Sequence, residues 1–304
     1  MKSRILIIGG SGLLGTNWAV ETRSSHDVTL ALNHRIISIP GTSALTLDWL
    51  DDEESSRAFA SISPDLVVHA AGLTSVEKCE SDPVSARVMN SDLASRVART
   101  CAQLGIKLIH ISTDHLFDGT RPELREDTSV CPLNVYGKTK ADAEVAVLKE
   151  CPDALVVRTN FYGWGPPYRR SFSDWIVDSL SSGKTIDAFE DVFYSPLLVT
   201  ELIEVAMQLA QIDISGIVHV AGPERISKYD FASKLAAAMK LDASLLRKAR
   251  QADFKNLVLR PRDMSLSSEK AFSILQRNPG TIDDHLRKLI VQREEGRLQL
   301  FQNL

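Results

Sequence analysis

Tyr136 and Lys140 stand four residues apart in the segment LNVYGKTKADAEV. On a helix that spacing puts both side chains on one face, so a lysine ammonium can lie beside the phenol. A neighbouring cation favours phenolate and draws a tyrosine below its ordinary value of about 10. Such a group can donate a proton near neutral pH, as the reduction of a carbonyl requires when hydride arrives. The pair alone recurs on many solvated helix faces, so its meaning rests on what accompanies it.

Three further segments supply parts of the same chemistry. Residues 4–8 (RILII) form a short apolar run that leads directly into GGSGLLG at 9–15. This reads as strand, tight turn and the start of a helix over Leu13 to Arg23. The glycines admit the turn and let a pyrophosphate approach the backbone, while the helix N-terminus aims its amides at phosphate. In the next strand, Asp27 to Arg35, no acid occurs between Asp27 and Asp48. NAD-selective sites place Asp or Glu about 20 residues past the loop to hold the ribose 2′-hydroxyl. Here Arg35 falls just past the strand instead, where a guanidinium can pair with a 2′-phosphate. NADPH is therefore the expected cofactor, with NADH as the alternative. The third segment, KLIHISTD at 107–114, is apolar and ends in hydroxyls. Ligand crevices lie outside the carboxyl ends of parallel strands, which brings Ser112, Thr113 and Asp114 to the rim where a carbonyl could be held.

In order and spacing these segments resemble the extended short-chain dehydrogenase/reductases, and within them the dTDP-4-dehydrorhamnose reductase family. The resemblance runs through GGSGLLG, Asp48-Trp49, HAAGLTSVEKCE (69–80), ISTDHLFDG (111–119), PLNVYGKTKADAE (132–144), VVRTNFYG (156–163) and RPRDMSL (260–266). It implies that Thr113 polarises the carbonyl, Tyr136 donates the proton, and Lys140 supports Tyr136 and holds the nicotinamide ribose. It also implies cofactor contacts at Gly9, Gly12, Leu14, Arg35, Asp48, Ala70, Ala71, Gly72 and Asn90. The substrate side would be formed by Thr74, Asp114, His115, Phe161, Phe193 and Arg260. Three features depart from the family pattern: His115 replaces a frequent tyrosine, Phe161 a frequent tryptophan, and EDVFYSPLLVTEL (190–202) the usual DQxGxPT run. These bear on the sugar pocket and leave the catalytic positions untouched.

The implied activity is an NADPH-dependent reduction of a nucleotide-linked 4-keto-6-deoxy sugar at its C4 ketone. Two other classes share the scaffold. REDTSVCPLNVYGKTK and KYDFASKLAAAMKLDASLL resemble the non-catalytic, NADP-binding β subunit of methionine adenosyltransferase. A nucleotide-sugar epimerase or dehydratase is the third class, disfavoured for the dehydratase because Asp114 is followed by His115 and not by a second acid.

The elements needed to position these residues are legible as alternating strands and helices. Strands are expected near 4–8, 28–32, 44–47, 66–70, 107–112, 154–159 and 216–221, which implies an α/β fold with a Rossmann-type, doubly wound parallel sheet. Residues 1–160, with 186–222 returning, would form the NADP-binding domain; 161–185 and 223–304 would form a smaller, mainly helical substrate lobe. After Pro83, the apolar stripe Val84, Val88, Leu93, Val97, Cys101 and Leu104 predicts one helix stopped by Gly105, with Asn90 near its middle. The long loop 114–133 and the turn-rich GWGPPYRR segment flank the expected crevice; Arg169 and Arg170 could meet a diphosphate there. His69, His110 and His219 sit in apolar strands and read as core residues, whereas His115 directly follows the hydroxyl motif.

Composition fits a soluble globular enzyme: 304 residues with 44% hydrophobic and 24% charged content can bury a large core plus a smaller lobe. A net charge of −4 argues against a nucleic-acid surface. The five-residue apolar run at the N-terminus is too short for a membrane span or signal peptide. Cys79, Cys101, Cys131 and Cys151 show no CxxC or histidine pairing, which suggests reduced thiols in a cytoplasmic protein and no metal site. A homodimer is compatible with the sequence.

Overall fold

The structure, a computed structural model, describes residues 2–254 and 257–304. Its centre is a sheet of seven strands built from the apolar runs of the sequence: β1 (Arg4–Ile8), β2 (Asp27–Leu32), β3 (Ser43–Thr46), β4 (Leu66–His69), β5 (Lys107–Ile111), β6 (Leu155–Arg158) and an edge strand at Gly216–His219. All neighbours pair in parallel, in the order Gly216–His219, β6, β5, β4, β1, β2, β3. The direction in which successive strands are added reverses between β1 and β4, which opens a crevice at their carboxyl ends.

Both faces of the inner strands are buried, as a doubly wound fold requires, while the edge strand β3 is largely exposed. Ile5 and Ile7 of β1 point into a core shared with Trp18 of α1 (Leu13–Thr22) and with Leu202 and Ala206 of the helix Val199–Gln211. Leu6 and Ile8 point the other way, toward α2 (Asp52–Ile62) and toward Ala94 and Val97 of the helix Leu93–Leu104. Alternation along a strand sends successive residues to opposite faces, and here both faces are apolar.

The segment after Pro83 departs from the single stripe expected for one helix. It comes after α3 (Val76–Ser81) and divides into α4 (Pro83–Arg87), a π turn at Val88–Asp92, and α5 (Leu93–Leu104). A π turn adds one residue to the helix, which the five-residue step from Val88 to Leu93 absorbs, so Leu93, Val97 and Cys101 stay buried beyond it. Val84 is left 74% exposed and Leu104, in the last turn, 55% exposed, whereas Asn90 is carried inward to 1% exposure.

A second core, separate from the sheet, defines the lobe. Tyr162, Trp164, Ile176, Leu180, Phe231 and Leu286 pack there, with Phe231 making aromatic contacts to Tyr162 (4.8 Å), Tyr194 (5.8 Å) and Phe172 (6.1 Å). Residues 186–194 belong to this core, whereas the sequence pattern places 186–222 with the sheet. The cause is strand pairing: Ile186–Phe189 pairs with Leu246–Ala249, and Phe193–Tyr194 with Ile226–Ser227. The chain rejoins the sheet domain at Leu197, whose backbone N–H donates to the Asn160 carbonyl.

Because Phe231 is fully buried among three aromatic rings, Phe231→Ala should destabilise the protein by about 3–5 kcal/mol, measured by urea unfolding. A loss below about 1 kcal/mol would show that the lobe core tolerates the void.

Candidate active site

One cavity of about 330 Å³ lies over the carboxyl ends of β1, β4, β5 and β6. At one end it is walled by Gly12, Leu14, Ala70, Ala71 and Gly72, and at the other by Thr113, Asp114, His115, Tyr136 and Lys140. Thr74, Asn90 and Phe161 also line it. The sheet thus gathers most of the expected site residues, drawn from separate stretches of chain, into a single space.

The glycine-loop end is shaped for close approach. Gly9 has φ +93°, and a Cβ on it would lie 2.6 Å from the Ala71 backbone nitrogen. Gly9 therefore lies under the cavity as a packing element between β1 and β4 and does not face the space itself. Gly12 is the N-cap of α1 and offers no side-chain cap, so the first-turn amides remain open toward the cavity. An uncapped helix start beside bare glycine backbone suits the pyrophosphate of a dinucleotide.

At the other end, α6 (Val135–Glu150) brings in the tyrosine and lysine. Asn134 caps it, accepting from the Gly137 N–H at 2.9 Å, while its amide donates to the Leu259 carbonyl. Gly137 packs so tightly that any Cβ would overlap the His115 carbonyl oxygen. That contact sets Tyr136 against the Thr113-Asp114-His115 turn, with the His115 ring edge-on to Tyr136 at 5.6 Å. Asp114 is buried and accepts from the Asn160 amide at 2.6 Å and the Thr113 hydroxyl at 3.3 Å.

The electrostatics differ in one respect from the sequence expectation. Burial pushes the Tyr136 phenol up to about 12; a hydrogen bond from Thr113 works against this, and the charges of Asp114 and Cys79 add to it. Lys140 does not pull Tyr136 down, because its ammonium is turned to the Ile111 carbonyl at 2.7 Å. Burial also draws Lys140 down to about 8, with the Glu144 carboxylate opposing. Tyr136 is thus a protonated phenol at neutral pH. His115 is lowered by burial, with Asp114 opposing and Lys228 and Arg260 adding to the fall, which leaves it a neutral ring.

Asn90 acts as a brace. Its Oδ1 accepts from the Leu73 N–H at 2.7 Å, and its Nδ2 donates to the Leu73 carbonyl and the Thr139 hydroxyl. It ties the loop after β4 to α6, and the π turn is what aims it there.

Four expected contacts lie outside the cavity wall, in addition to Gly9. Arg35 stacks on the Tyr168 ring at 3.9 Å. Asp48 is exposed and its carboxylate accepts from the Leu50 N–H, forming a turn after β3. The Phe193 ring is covered by the Arg225 guanidinium at 3.7 Å. Arg260 pairs with Glu77.

Other residues enter that sequence pattern alone does not mark. Asn160 orients Asp114. Lys228 places its ammonium 3.3 Å above the Tyr194 ring and is drawn down to about 8 by burial, the Asp114 carboxylate opposing. The buried Tyr194 hydroxyl has no partner among the described residues. Lys228 opens a helix after a Ser227 cap, a signal that could have marked it as held in place. Arg169 and Arg170 do line the cavity, although Arg170 also pairs with Asp178 at 2.8 Å. Among the described residues no cluster of histidine, cysteine and acidic side chains could hold a metal ion, and no helix is long and apolar enough to cross a membrane.

The parallel sheet, the glycine-loop crevice and the Thr-Tyr-Lys constellation define an extended short-chain dehydrogenase/reductase, a class of NAD(P)-dependent oxidoreductases. The profile of the family described as RmlD substrate binding domain matches residues 2–294, and the chain belongs to that family, which is the dTDP-4-dehydrorhamnose reductase family. It is similar to a dTDP-4-dehydrorhamnose reductase of Mycolicibacterium smegmatis, 31% identical over 89% of this chain and 80% of the relative. It is also similar to the methionine adenosyltransferase 2 subunit beta of Mus musculus, 33% identical over 80% of this chain and 74% of the relative. In fold it matches a Bacillus anthracis dTDP-4-dehydrorhamnose reductase crystallised with NADP, with TM-score 0.85, 23% identity, and coverage of 96% of this chain and 100% of the other.

The brace makes a direct test. Asn90→Asp replaces a donor by an acceptor facing the Leu73 carbonyl, and thermal unfolding should show a loss of about 1–3 kcal/mol. An unchanged melting temperature would show that Asn90 does not hold the loop.

Proposed function

We propose that the protein reduces the ketone of a nucleotide-linked 4-keto-6-deoxy sugar with NADPH. The observation that carries this reading is the convergence of Thr113, Tyr136 and Lys140 in the cavity that also holds the uncapped start of α1. The glycine cradle fits a dinucleotide: Gly12, Leu14, Ala70, Ala71 and Gly72 would hold it along the crevice, and Arg35, flattened on Tyr168, would meet a 2′-phosphate. Bound there, NADPH would supply the hydride.

The remaining work falls to the protein's own side chains. Thr113 and Tyr136 hydrogen-bond the carbonyl oxygen and hold it in the cavity. Tyr136 keeps its proton at neutral pH and gives it to that oxygen as negative charge develops. Lys140, once turned from the Ile111 carbonyl toward the phenol, stabilises the phenolate. Phe161, Thr74 and His115 bound the sugar, with Phe193 nearer the lobe. Positive charge for the diphosphate comes from Arg169 on the cavity wall and from Lys228 and Arg260, whose charges reach His115.

A second reading draws on the relatives named methionine adenosyltransferase 2 subunit beta: an NADP-binding chain that regulates a partner. The two separate in one experiment, in which NADPH oxidation is followed with a panel of dTDP- and UDP-linked 4-keto-6-deoxy sugars. Turnover with one of them supports the reductase. Tyr136→Phe should then lower kcat by about 10²–10⁴-fold with NADPH affinity unchanged. Tight NADPH binding without turnover of any sugar sinks the reductase reading and favours the regulatory one.

Cofactor choice has its own check. Arg35→Met should weaken NADPH binding on the order of tenfold or more and leave NADH binding unaltered, read by fluorescence titration. Equal loss for both would remove Arg35 from 2′-phosphate recognition.

A further inference from the structure

Beneath the catalytic residues lies a buried polar network to which the reaction assigns no step. Tyr136, Lys140 and Glu144 succeed one another at four-residue spacing on α6 and so share the face turned to the sheet. Glu144 is 3% exposed. Its Oε1 accepts from the Ser112 hydroxyl at 2.5 Å and from Arg158 Nε at 2.9 Å, and its Oε2 accepts from Arg158 Nη2 at 2.7 Å. Arg158 is itself buried at the end of β6, and its Nη1 lies 3.3 Å from His219 Nε2. His219 Nδ1 lies 3.1 Å from the Leu124 carbonyl, which fixes Nδ1 as the protonated nitrogen and leaves Nε2 to accept from Arg158. The His219 backbone N–H donates to Glu126, so the network also fastens the long loop 114–133.

A buried ion pair is a poor source of net stability, since the desolvation of two charges offsets most of their attraction. This one sits where its charge matters to a neighbour. Lys140 donates to the Ile111 carbonyl, one residue before the Ser112 that donates to Glu144, so lysine and carboxylate grip adjacent residues of the same strand end. The other groups facing Lys140 give its ammonium no support. His69 on β4 and His110 on β5 are buried, stacked and 2.9 Å apart through their Nδ1 atoms, and both are lowered by burial and by Lys140 itself. Tyr136 is a neutral phenol, Cys79 and Asp114 act on that phenol, and Arg158 is a second cation.

We propose that Glu144 is a positioning residue for the reduction: its carboxylate, pinned by Ser112 and Arg158, keeps Lys140 an ammonium and holds the strand end on which that ammonium rests. The proposal builds on the reading that Lys140 serves Tyr136, yet it concerns the protein without substrate. Glu144 lies one helical turn from Lys140, and an anion at that spacing favours the ammonium. Removing the carboxylate takes away the group that, among the described residues, favours the charged lysine, so Lys140 loses its proton at lower pH.

The test is a pH titration of Lys140 by NMR in protein carrying lysine labelled with carbon-13 at Cε, its signal assigned with Lys140→Arg. The native midpoint is expected near about 8. In Glu144→Gln it should fall by about one unit or more, and Glu144→Asp should recover most of the shift. Glu144→Gln leaves Arg158 buried without its partner and can unfold the protein; the double variant Glu144→Gln/Arg158→Met removes both charges and should show a smaller fall in the same direction, since the opposing cation is gone as well. An unchanged Lys140 midpoint in folded Glu144→Gln, or a double variant whose midpoint does not differ from that of Arg158→Met alone, overturns the proposal and leaves the pair a fastening only. A shifted midpoint in a protein that reduces no sugar upholds the role of Glu144 and tells against the reductase reading instead.

Discussion

The arrangement of the site depends on how α6 is fastened across the ends of β5 and β6. The Glu144 carboxylate takes hydrogen bonds from Ser112 at the end of β5 and Arg158 at the end of β6, while Lys140 grips the Ile111 carbonyl. One helix is thereby held to two strands at depth, where water does not compete for the same donors. Gly137 sets the distance of approach at the helix N-terminus, since a side chain there would push the His115 turn away. With both ends fixed, Tyr136 has one place to go, beside Thr113 and over the crevice.

The crevice in turn arises from the direction of the strands. In a parallel sheet all carboxyl ends lie along one edge, so the loops after β1, β4, β5 and β6 meet there although they are far apart in sequence. The glycine loop after β1 leaves backbone exposed at one end of that edge, and the hydroxyl turn after β5 places side chains at the other. Asn90 ties the loop after β4 to α6 between these two ends. The lobe packs around an aromatic core of its own. Lys228 and Tyr194 stand at the boundary between that core and Asp114.

Much of this was legible in the chain. The inner strands stand where apolar runs end in turn residues, because a strand buried on both faces must be apolar throughout, whereas the edge strand β3 is largely exposed. The glycine loop announced its geometry, since glycine readily admits the φ of +93° found at position 9. The pair Tyr136 and Lys140 was readable from type and spacing, and Thr113 was singled out among the hydroxyls after β5 by the family resemblance; the cavity brings all three together. What spacing did not reveal was the π turn at Val88–Asp92. Periodicity assumes 3.6 residues per turn, and a single wider turn changes which side chains face inward without changing composition. The lobe boundary was hidden for a similar reason, because Ile186–Phe189 finds its partner far along the chain, in Leu246–Ala249. Non-local pairing leaves no mark in either segment alone.

The sequence by itself determined the fold class and the family, and it marked the proposed reacting groups, since these depend on residue type, order and local period. Tertiary structure alone decided their electrical state. Lys140 beside Tyr136 on a helix would lower the tyrosine in water, but in the folded protein burial raises that phenol to about 12 and draws the lysine down to about 8. Desolvation depends on what the rest of the chain packs around a group, and the direction of an ammonium depends on which carbonyl it meets. Both are properties of the assembled core and of no segment taken alone.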